Sequence, residues 1–188
     1  MNKILRATET AHLLSCAFLR EGQKVIDATC GNGYDTLFLA ERVGKNGRVY
    51  AFDVQEEALM ETYRLLNERQ YLDRVELIHD SHEHFTHYVD TPVDAIIYNL
   101  GYLPGGQKDV TTNADSTVHS LKEGMKILAN GGFISIVVYP GHPEGEQEAA
   151  AVENFLHGLP ASSWYILSYK RINSLKPSPY LIFVEKNC

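Results

Sequence analysis

Runs of hydrophobic residues alternate along this 188-residue chain with segments in which hydrophobic and polar residues repeat at helical spacing. Short apolar runs bounded by turn residues are typical of buried strands, and a 3.6-residue repeat is typical of an amphipathic helix. The predicted strands are residues 24–29, 48–54, 75–79, 93–99, 133–139, 164–171 and 180–185. The predicted helices are residues 34–43, 56–70, a short one near 81–88, 114–128 and 146–156. Strands that alternate with helices predict an α/β fold around a parallel sheet.

The last two predicted strands are joined only by the proline-rich residues 173–179. This connection is too short for a crossover helix, so we expect the two strands to pair antiparallel as a hairpin. Seven strands with the last one reversed, and helices on both faces, is the Rossmann-like arrangement of the class I methyltransferase sheet. Since the sequence contains no repeat, linker or low-complexity segment, residues 1–188 are predicted to form one domain.

Composition narrows the classes of protein. The chain is 44% hydrophobic with a net charge of -7, which predicts a full core and no overall basic signal for nucleic acid, although a local basic face would suffice for RNA. Cys16, Cys30 and Cys188 form no Cys-x-x-Cys pair, which favours a reducing compartment. Residues 1–20 lack the pattern of a signal peptide, and no apolar run reaches the ~18 residues of a membrane span. We therefore expect a soluble cytoplasmic protein.

The first predicted strand leads into a Gly-x-Gly loop and then a helix, an arrangement that lets backbone N–H groups approach a ligand. The glycines are Gly31 and Gly33, and Thr36 stands where a dinucleotide-binding loop would have its third glycine. Asp27, four residues before Gly31, would repel a pyrophosphate and attract a cationic ligand with an amino acid moiety. An NAD-binding Rossmann domain is the alternative, and Asp27 and Thr36 argue against it.

Polar residues also follow the next three strands. Asp53 is placed to accept the ribose hydroxyl protons of a nucleoside cofactor, the segment at Ser81 is placed near its adenine, and Asn99 ends the fourth strand. Such residues could instead only cap helices. The pattern resembles the S-adenosylmethionine site of class I methyltransferases, with Cys30 as a small lining residue rather than a nucleophile. The predicted cofactor-binding residues are Asp27, Thr29, Cys30, Gly31, Asn32, Gly33, Asp35, Thr36, Asp53, Val54, Asp80, Ser81, His82 and Asn99.

Residues 99–106 follow the fourth strand, where the transferred methyl group would lie. They resemble the Asn-Pro-Pro-Tyr loop of amino-group methyltransferases, in which an amide oxygen and a backbone carbonyl hold the amine; the asparagine and the aromatic residue are kept and both prolines are lost. Asn99 and Tyr102 are therefore predicted to orient the acceptor amine, with Tyr102 able to stack on a base. The alternative is a simple connecting turn with Tyr102 in the core. Nearby predicted substrate-binding residues are Leu103, Pro104, Gly105 and Lys108.

A second polar loop, residues 139–146, follows the fifth strand. His142 is predicted as a proton acceptor beside the substrate-binding residues Tyr139 and Gly141, and the alternative is a surface histidine in a capped loop. Lys170 and Arg171, with Lys176 nearby, are candidates for phosphate contacts, or else a solvated strand edge. The histidine-rich residues 81–87 lack the spacing of a metal site, so no metal is predicted.

The segments 32–36, 80–83, 99–106 and 139–145 together resemble the YtqB (MnmM) family, whose members are described as rRNA methylases, and the resemblance covers essentially the whole chain. It implies methylation of 5-aminomethyluridine to 5-methylaminomethyluridine at the tRNA wobble position, an anticodon stem-loop as partner, and a homodimer. The sequence departs from the pattern of that family at Gln107 and Ser178. Both positions lie outside the cofactor motifs, so they affect the expected substrate more than the expected reaction. An rRNA or small-molecule methyltransferase, or a non-catalytic nucleotide- or RNA-binding protein, stay as alternatives.

Overall fold

The computed structural model describes residues 4–89, 92–101 and 112–188. In these residues the helices are α1 (Ala7–Phe18), α2 (Tyr34–Val43), α3 (Glu56–Arg69), α4 (Ala114–Ile127) and α5 (Pro143–His157), with short 3₁₀ helices at Leu72–Arg74 and His82–His87. The strands are β1 (Lys24–Asp27), β2 (Arg48–Asp53), β3 (Val75–His79), β4 (Val93–Asn99), β5 (Leu128–Val138), β6 (Trp164–Tyr169) and β7 (Tyr180–Lys186). The predicted alternation of strands and helices is confirmed.

The seven strands form one sheet in the order β3-β2-β1-β4-β5-β7-β6. Neighbours from β3 to β5 are parallel, whereas β7 runs antiparallel to both β5 and β6. The predicted hairpin and the predicted reversed last strand are therefore both present. The chain order reverses between β1 and β4, and in open α/β sheets ligands bind at such a switch point, beyond the carboxyl ends of the strands.

Several elements end one or two residues from the predicted position, and two elements begin at least three residues before the predicted start. β5 begins at Leu128 rather than at residue 133, because Leu128 already pairs with Val93 across a register irregularity. α5 begins at Pro143 rather than at residue 146, because the side chain of His142 caps it and proline is well suited to the first helical turn. The amphipathic stretch before the first strand forms α1.

The sheet buries a hydrophobic layer on each face. Side chains such as Ile96 and Ile134 pack with α4 and α5 on one face, while Val25 and Ala95 pack with α1, α2 and α3 on the other. Burial of this kind contributes roughly 25 cal/mol per Å² of apolar surface, so both layers hold the strand ends in place. None of the described helices combines the length and the apolar character that a membrane crossing requires.

Candidate functional site

A cavity of about 1150 Å³ opens beyond the carboxyl ends of β1 to β4. It is larger than the roughly 300–1,000 Å³ of most small-molecule sites, so it has room for two reactants. Its described lining residues are Arg6, Thr8, Glu9, His12, Ala28, Thr29, Cys30, Gly31, Asn32, Tyr34, Asp35, Asp53, Val54, Gln55, Asp80, Ser81, His82, Glu83, Asn99, Leu100, Gly101, Thr112, Asn113, Ser116 and Tyr139. Most of the predicted cofactor-binding residues thus meet at one cavity.

The loop between β1 and α2 is shaped by its glycines. Gly33 has a φ of 82°, and a Cβ there would lie 2.8 Å from the hydroxyl oxygen of Thr62. That hydroxyl donates to the carbonyl of Gly31 at 2.9 Å, and Gly33 N–H donates to the carbonyl of Cys30 at 2.8 Å. A side chain at position 33 would therefore push Thr62 and α3 away from the loop, which explains why glycine is needed there.

Asp27 lies behind the cavity wall rather than on it. Its side chain is fully buried; it accepts a hydrogen bond from the Thr36 hydroxyl at 2.6 Å and another from Thr29 N–H at 3.2 Å. Burial, together with the nearby charge of Asp35, raises the pKa of Asp27 to about 7. Thr36 and Gly33 are likewise buried behind the wall, so a direct ligand contact by these three residues stays a prediction.

Asp53 ends β2 with each carboxylate oxygen held by a backbone N–H group. Gly31 donates to Oδ2 and Gln55 donates to Oδ1, both at 2.9 Å. A carboxylate oxygen has two acceptor sites, so each still has one for a hydroxyl of a ligand. Burial raises the pKa of Asp53. The arrangement suits a pair of ribose hydroxyls, as the sequence predicted.

The segment after β3 forms the wall next to Asp53. Asp80 accepts hydrogen bonds from Ser81 N–H at 2.7 Å and from the Tyr88 hydroxyl at 2.9 Å, and it pairs with His84 at 2.9 Å. The hydrogen bond from His84 lowers the pKa of Asp80, which is therefore ionised. Burial lowers the pKa of His82 to about 4, so this ring is neutral at neutral pH. In the described residues no histidine, cysteine, aspartate or glutamate group is arranged to hold a metal ion.

Asn99, at the end of β4, is hydrogen-bonded to two of the predicted cofactor-binding residues. Its backbone N–H donates to the Thr29 hydroxyl at 2.7 Å, and its side-chain amide donates to Asp35 Oδ2 at 3.2 Å. Tyr139, whose pKa is raised by burial, also shares a hydrogen bond with the Asn99 side chain. With its NH₂ group turned to Asp35, the amide oxygen of Asn99 is the group left to receive a donor.

Gly101 and Thr112 are the described residues on either side of positions 102–111, and they are hydrogen-bonded to each other. Gly101 N–H donates to the Thr112 hydroxyl at 2.9 Å, and Thr112 N–H donates to the Gly101 carbonyl at 3.2 Å. The buried Glu148 accepts from the hydroxyls of Thr112 at 2.9 Å and Thr117 at 2.6 Å, which ties this junction to α4 and α5. Five predicted acceptor-side residues lie outside the described residues: Tyr102, Leu103, Pro104, Gly105 and Lys108.

The side chain of His142 lies at the start of α5. Its Nδ1 accepts a hydrogen bond from Gly145 N–H at 3.0 Å and thereby caps α5. Neither His142 nor Gly141 lines the cavity, whereas Tyr139 does. The capped-loop alternative describes the geometry of His142, and a role in proton transfer stays a prediction.

Lys170 and Arg171 follow β6 at the same edge of the sheet as the cavity, because β6 and β7 pair Tyr169 with Leu181 beside the end of β5. Lys170 lies 3.8 Å from Glu153 and over the ring of Tyr180, and Arg171 donates to Asn173 at 3.2 Å. They do not line the cavity, so phosphate contacts by these residues stay a prediction.

The contribution of α1 was missed from the sequence. Arg6, the N-cap of α1, and Thr8, Glu9 and His12 line the cavity, and Arg6 and Glu9 bond each other in a capping box. His12 Nε2 lies 2.5 Å from Asp35 Oδ1, and the ring stacks on Phe38 with centroids 4.0 Å apart. The spacing of Thr8, Glu9 and His12 puts them on one helix face, which is the signal that could have revealed them.

The cavity is rich in carboxylates. Asp27 lies behind the wall, and the lining carboxylates are Glu9, Asp35, Asp53, Asp80 and Glu83, against the single always-charged cation Arg6 among the described lining residues. Opposite charges attract strongly where solvent is limited, so this set suits a cationic ligand and disfavours a polyphosphate. A ligand with a sulfonium, an amino group and ribose hydroxyls fits these donors and acceptors.

Comparison with known proteins gives concordant results. Residues 49–185 match the family model described as "Putative rRNA methylase". The chain is 40% identical to a chloroplastic tRNA (mnm(5)s(2)U34)-methyltransferase of Arabidopsis thaliana, over 96% of this chain and 69% of the relative. A crystal structure of an rRNA-methylase from Clostridium thermocellum, described as putative, is 39% identical, covers 98% of this chain and all of its own, and has a TM-score of 0.96. A methyltransferase from Streptococcus mutans in complex with SAH is 37% identical over 97% of this chain and 99% of its own, with a TM-score of 0.89.

Proposed function

The chain belongs to the family described as "Putative rRNA methylase", and on that premise we propose that it methylates the amine of 5-aminomethyluridine at the wobble position of tRNA. The methyl donor is S-adenosylmethionine, in keeping with the SAH-bound structural relative. The product would be 5-methylaminomethyluridine. The Arabidopsis relative, whose name gives the same tRNA position and the same 5-substituent together with a 2-thio group, supports this substrate.

The observation that carries the proposal is the carboxylate-rich cavity, with the amide of Asn99 among its lining groups. Asp53 would hold the ribose hydroxyls, Ser81 and His82 would face the adenine, and the backbone around Gly31 would hold the methionine portion. When bound, the cofactor supplies a methyl group on a sulfonium, which is open to attack by a nucleophile. The negative charge around it favours both the sulfonium and an amine substrate.

Asn99 is proposed to orient the amine. Its amide NH₂ is committed to Asp35, so its oxygen can accept a hydrogen bond from the substrate amine and point the nitrogen lone pair at the methyl group. Methyl transfer is an in-line displacement, and correct alignment of the reacting atoms can supply much of the acceleration. The residue that ends β4 would thus serve the acceptor, whereas residues at the carboxyl ends of β1 to β3 would serve the donor.

Nucleoside mass spectrometry tests the proposal. The purified protein is incubated with S-adenosylmethionine and with tRNA that carries 5-aminomethyluridine, and we expect that nucleoside to gain one methyl group. Matched tRNA with an unmodified wobble uridine should gain none. Because the family description names rRNA, ribosomal RNA from the same cell is a parallel arm. Methylation of rRNA alone would contradict the tRNA assignment, and no methylation of either RNA would reject RNA as the substrate.

We propose an anticodon stem-loop as the RNA element that is bound. Lys170 and Arg171 lie at the cavity edge of the sheet and are candidates to contact its phosphates. Each phosphate contact makes binding weaker as salt rises, so a Lys170→Gln/Arg171→Gln variant should bind a stem-loop more weakly and with a shallower salt dependence. Unchanged affinity and slope would exclude these residues from the RNA contact.

A homodimer and a cytosolic location are further proposals. The edge strand β6 exposes Tyr165, Leu167 and Tyr169, and such a surface can be covered by a second copy. Sedimentation of wild type and of a Leu167→Lys variant tests this: a dimer that becomes a monomer is the expected result. The three free cysteines suit a reducing compartment, which cell fractionation can check.

A further inference from the structure

His12 is the histidine of the described cavity wall that the proposed function leaves without a role, since His82 is assigned to the adenine. It lies on α1, about a third of its side chain is exposed, and its ring is held flat against Phe38 at an interplanar angle of 4°. Nε2 is directed to Asp35 at 2.5 Å. A stacked ring with one nitrogen committed is fixed in orientation, and Nδ1 is the nitrogen left for another partner.

Asp35 links this histidine to the residue proposed to orient the amine. One of its oxygens pairs with His12 and the other accepts from the side chain of Asn99 at 3.2 Å. His12 and Asn99 are therefore separated by a single carboxylate, although they are 87 positions apart in the chain. Tyr139 closes the same part of the wall. Both His12 and Asn99 line the cavity, so a group held by Asn99 would share that cavity with the His12 ring.

The proposed reaction creates a need for a proton acceptor at this place. A primary alkylamine is largely protonated near neutral pH, and an ammonium group has no lone pair with which to attack. Inside the cavity it would also lie close to a sulfonium of the same charge, which disfavours its protonated form. Once RNA covers the cavity, exchange with bulk water is restricted, so a side chain has to carry the proton away.

We propose that His12 is a catalytic residue that takes this proton on Nδ1, and that Asp35 is a positioning residue that holds both His12 and Asn99. The inference rests on the proposed function. Neutral His12 donates its Nε2–H to Asp35 and accepts one proton from the substrate ammonium, which becomes a neutral amine. The amine nitrogen forms a bond to the methyl carbon, the carbon–sulfur bond breaks, and its electron pair goes to sulfur. The product carries one positive charge on nitrogen, and His12 later returns its proton to water.

Charged and titratable groups surround the ring on each packed element. Arg6 and Glu9 on α1 bond each other at 2.8 Å, so much of their charge is balanced locally. Arg42 on α2 lies over the other partner of the stack, Phe38, at 5.6 Å. The remaining groups that face this region are Asp27 from β1, Asp35 from α2 and Tyr139 after β5. Asp35 on α2 is the carboxylate in direct contact with the ring, whereas Asp27 is buried behind the wall.

Single-turnover methylation of 5-aminomethyluridine tRNA as a function of pH tests the proposal. His12→Gln should lower the rate near neutral pH on the order of 10²-fold, the usual contribution of a general base, and its rate should rise steeply with pH as hydroxide replaces the lost base. His12→Ala should be partly restored by added imidazole. His157→Gln, which replaces an exposed histidine at the end of α5, is the control, and its rate should match that of the wild type. S-adenosylmethionine affinity measured by calorimetry should change less than twofold in His12→Gln. A deficit independent of pH and not rescued by imidazole would overturn the role.

A second measurement needs no activity. Nitrogen NMR of the histidine rings, with His12 assigned from its loss in His12→Gln, should show the tautomer that carries its proton on Nε2. Asp35→Asn should reduce the preference for that tautomer. A ring that carries its proton on Nδ1 would overturn the proposal whatever the substrate is. Absence of wild-type methylation of tRNA would reject the proposed function, and the tautomer would still decide the role of the ring.

Discussion

Replacing Asp27 with asparagine is expected to make the protein more stable at alkaline pH. The carboxyl group is fully buried behind the β1–α2 loop, and burial raises its pKa from 3.8 to about 7. In the unfolded chain the same group ionises at its ordinary value. The folded state therefore binds a proton that the unfolded state has already lost between these two values, and stability falls as pH rises through this window.

The magnitude follows from the two values of the pKa. Each unit corresponds to about 1.4 kcal/mol, so ionising Asp27 in the folded state costs about 4 kcal/mol in all. About 2.5 kcal/mol of this is lost between about pH 5 and pH 8, since the unfolded group is already ionised at the lower pH. Asparagine keeps the same shape, can accept from Thr29 N–H and can donate to the Thr36 hydroxyl, so Asp27→Asn should not show this loss.

Denaturant unfolding of the ligand-free protein at both pH values measures the difference. The stability of Asp27→Asn relative to wild type should rise by about 2.5 kcal/mol on going from about pH 5 to pH 8, with an unchanged denaturant slope. Asp73→Asn is the matched control: a hydrogen bond from Arg74 lowers the pKa of that exposed carboxyl, so it is ionised in both states at both pH values and the relative stability of this variant should not change between them. A stability difference that is the same at both pH values would refute the assignment of Asp27 as a group that is neutral when buried.

Three further predictions concern the cavity and its support. Asp53→Asn should weaken binding of S-adenosylmethionine at least tenfold by calorimetry, because one hydroxyl acceptor becomes a donor; equal affinity would remove Asp53 from the ribose site. Asn99→Ala should abolish methyl transfer while leaving cofactor affinity mostly intact, and an unchanged rate would contradict its orienting role. Gly124→Ala should destabilise the fold by about 1–3 kcal/mol in thermal unfolding, because the new Cβ would lie 2.7 Å from the side chain of Ile96. Gly158→Ala is its control, since the nearest atom there is 3.4 Å from the new Cβ, and equal effects of the two substitutions would show that the contact at position 124 is relieved.

Much of the cavity could be predicted because its residues follow strands. The hydrophobic pattern marks where each strand stops, and parallel strands bring their carboxyl ends to one edge, so Asp53, Ser81 and Asn99 had to lie near one another. The glycine loop could be predicted for the same reason. The pattern does not show how deeply a polar side chain is buried. Nothing in the local sequence distinguishes Asp27, which is buried behind the cavity wall, from Asp53, which lines the cavity.

The acceptor side was harder to predict because its contacts are long-range or depend on helix capping. The pairing of His12 with Asp35 joins α1 to α2 across 23 positions, and only the packing of α1 against the sheet produces it. The capping role of His142 had a local sign, since Pro143 directly after it is typical of a first helical turn. The position of His142 in a polar loop after a strand suggested a chemical role. Its observed geometry follows instead from its place as the residue that caps the start of α5.

The junction at Gly101 and Thr112 has a consequence for how acceptor choice can diverge. Because two reciprocal hydrogen bonds and the anchor at Glu148 hold the two ends together, the sheet has the same boundary whatever joins them. The entropy of closing a connection grows only slowly with its length, so exchanging the intervening residues for those of a relative should cost little stability. On the proposed assignment of residues 102–111 to the acceptor, the methyl donor site and the acceptor-binding segment could change independently, and a new substrate could arise from a new segment on an unchanged donor site.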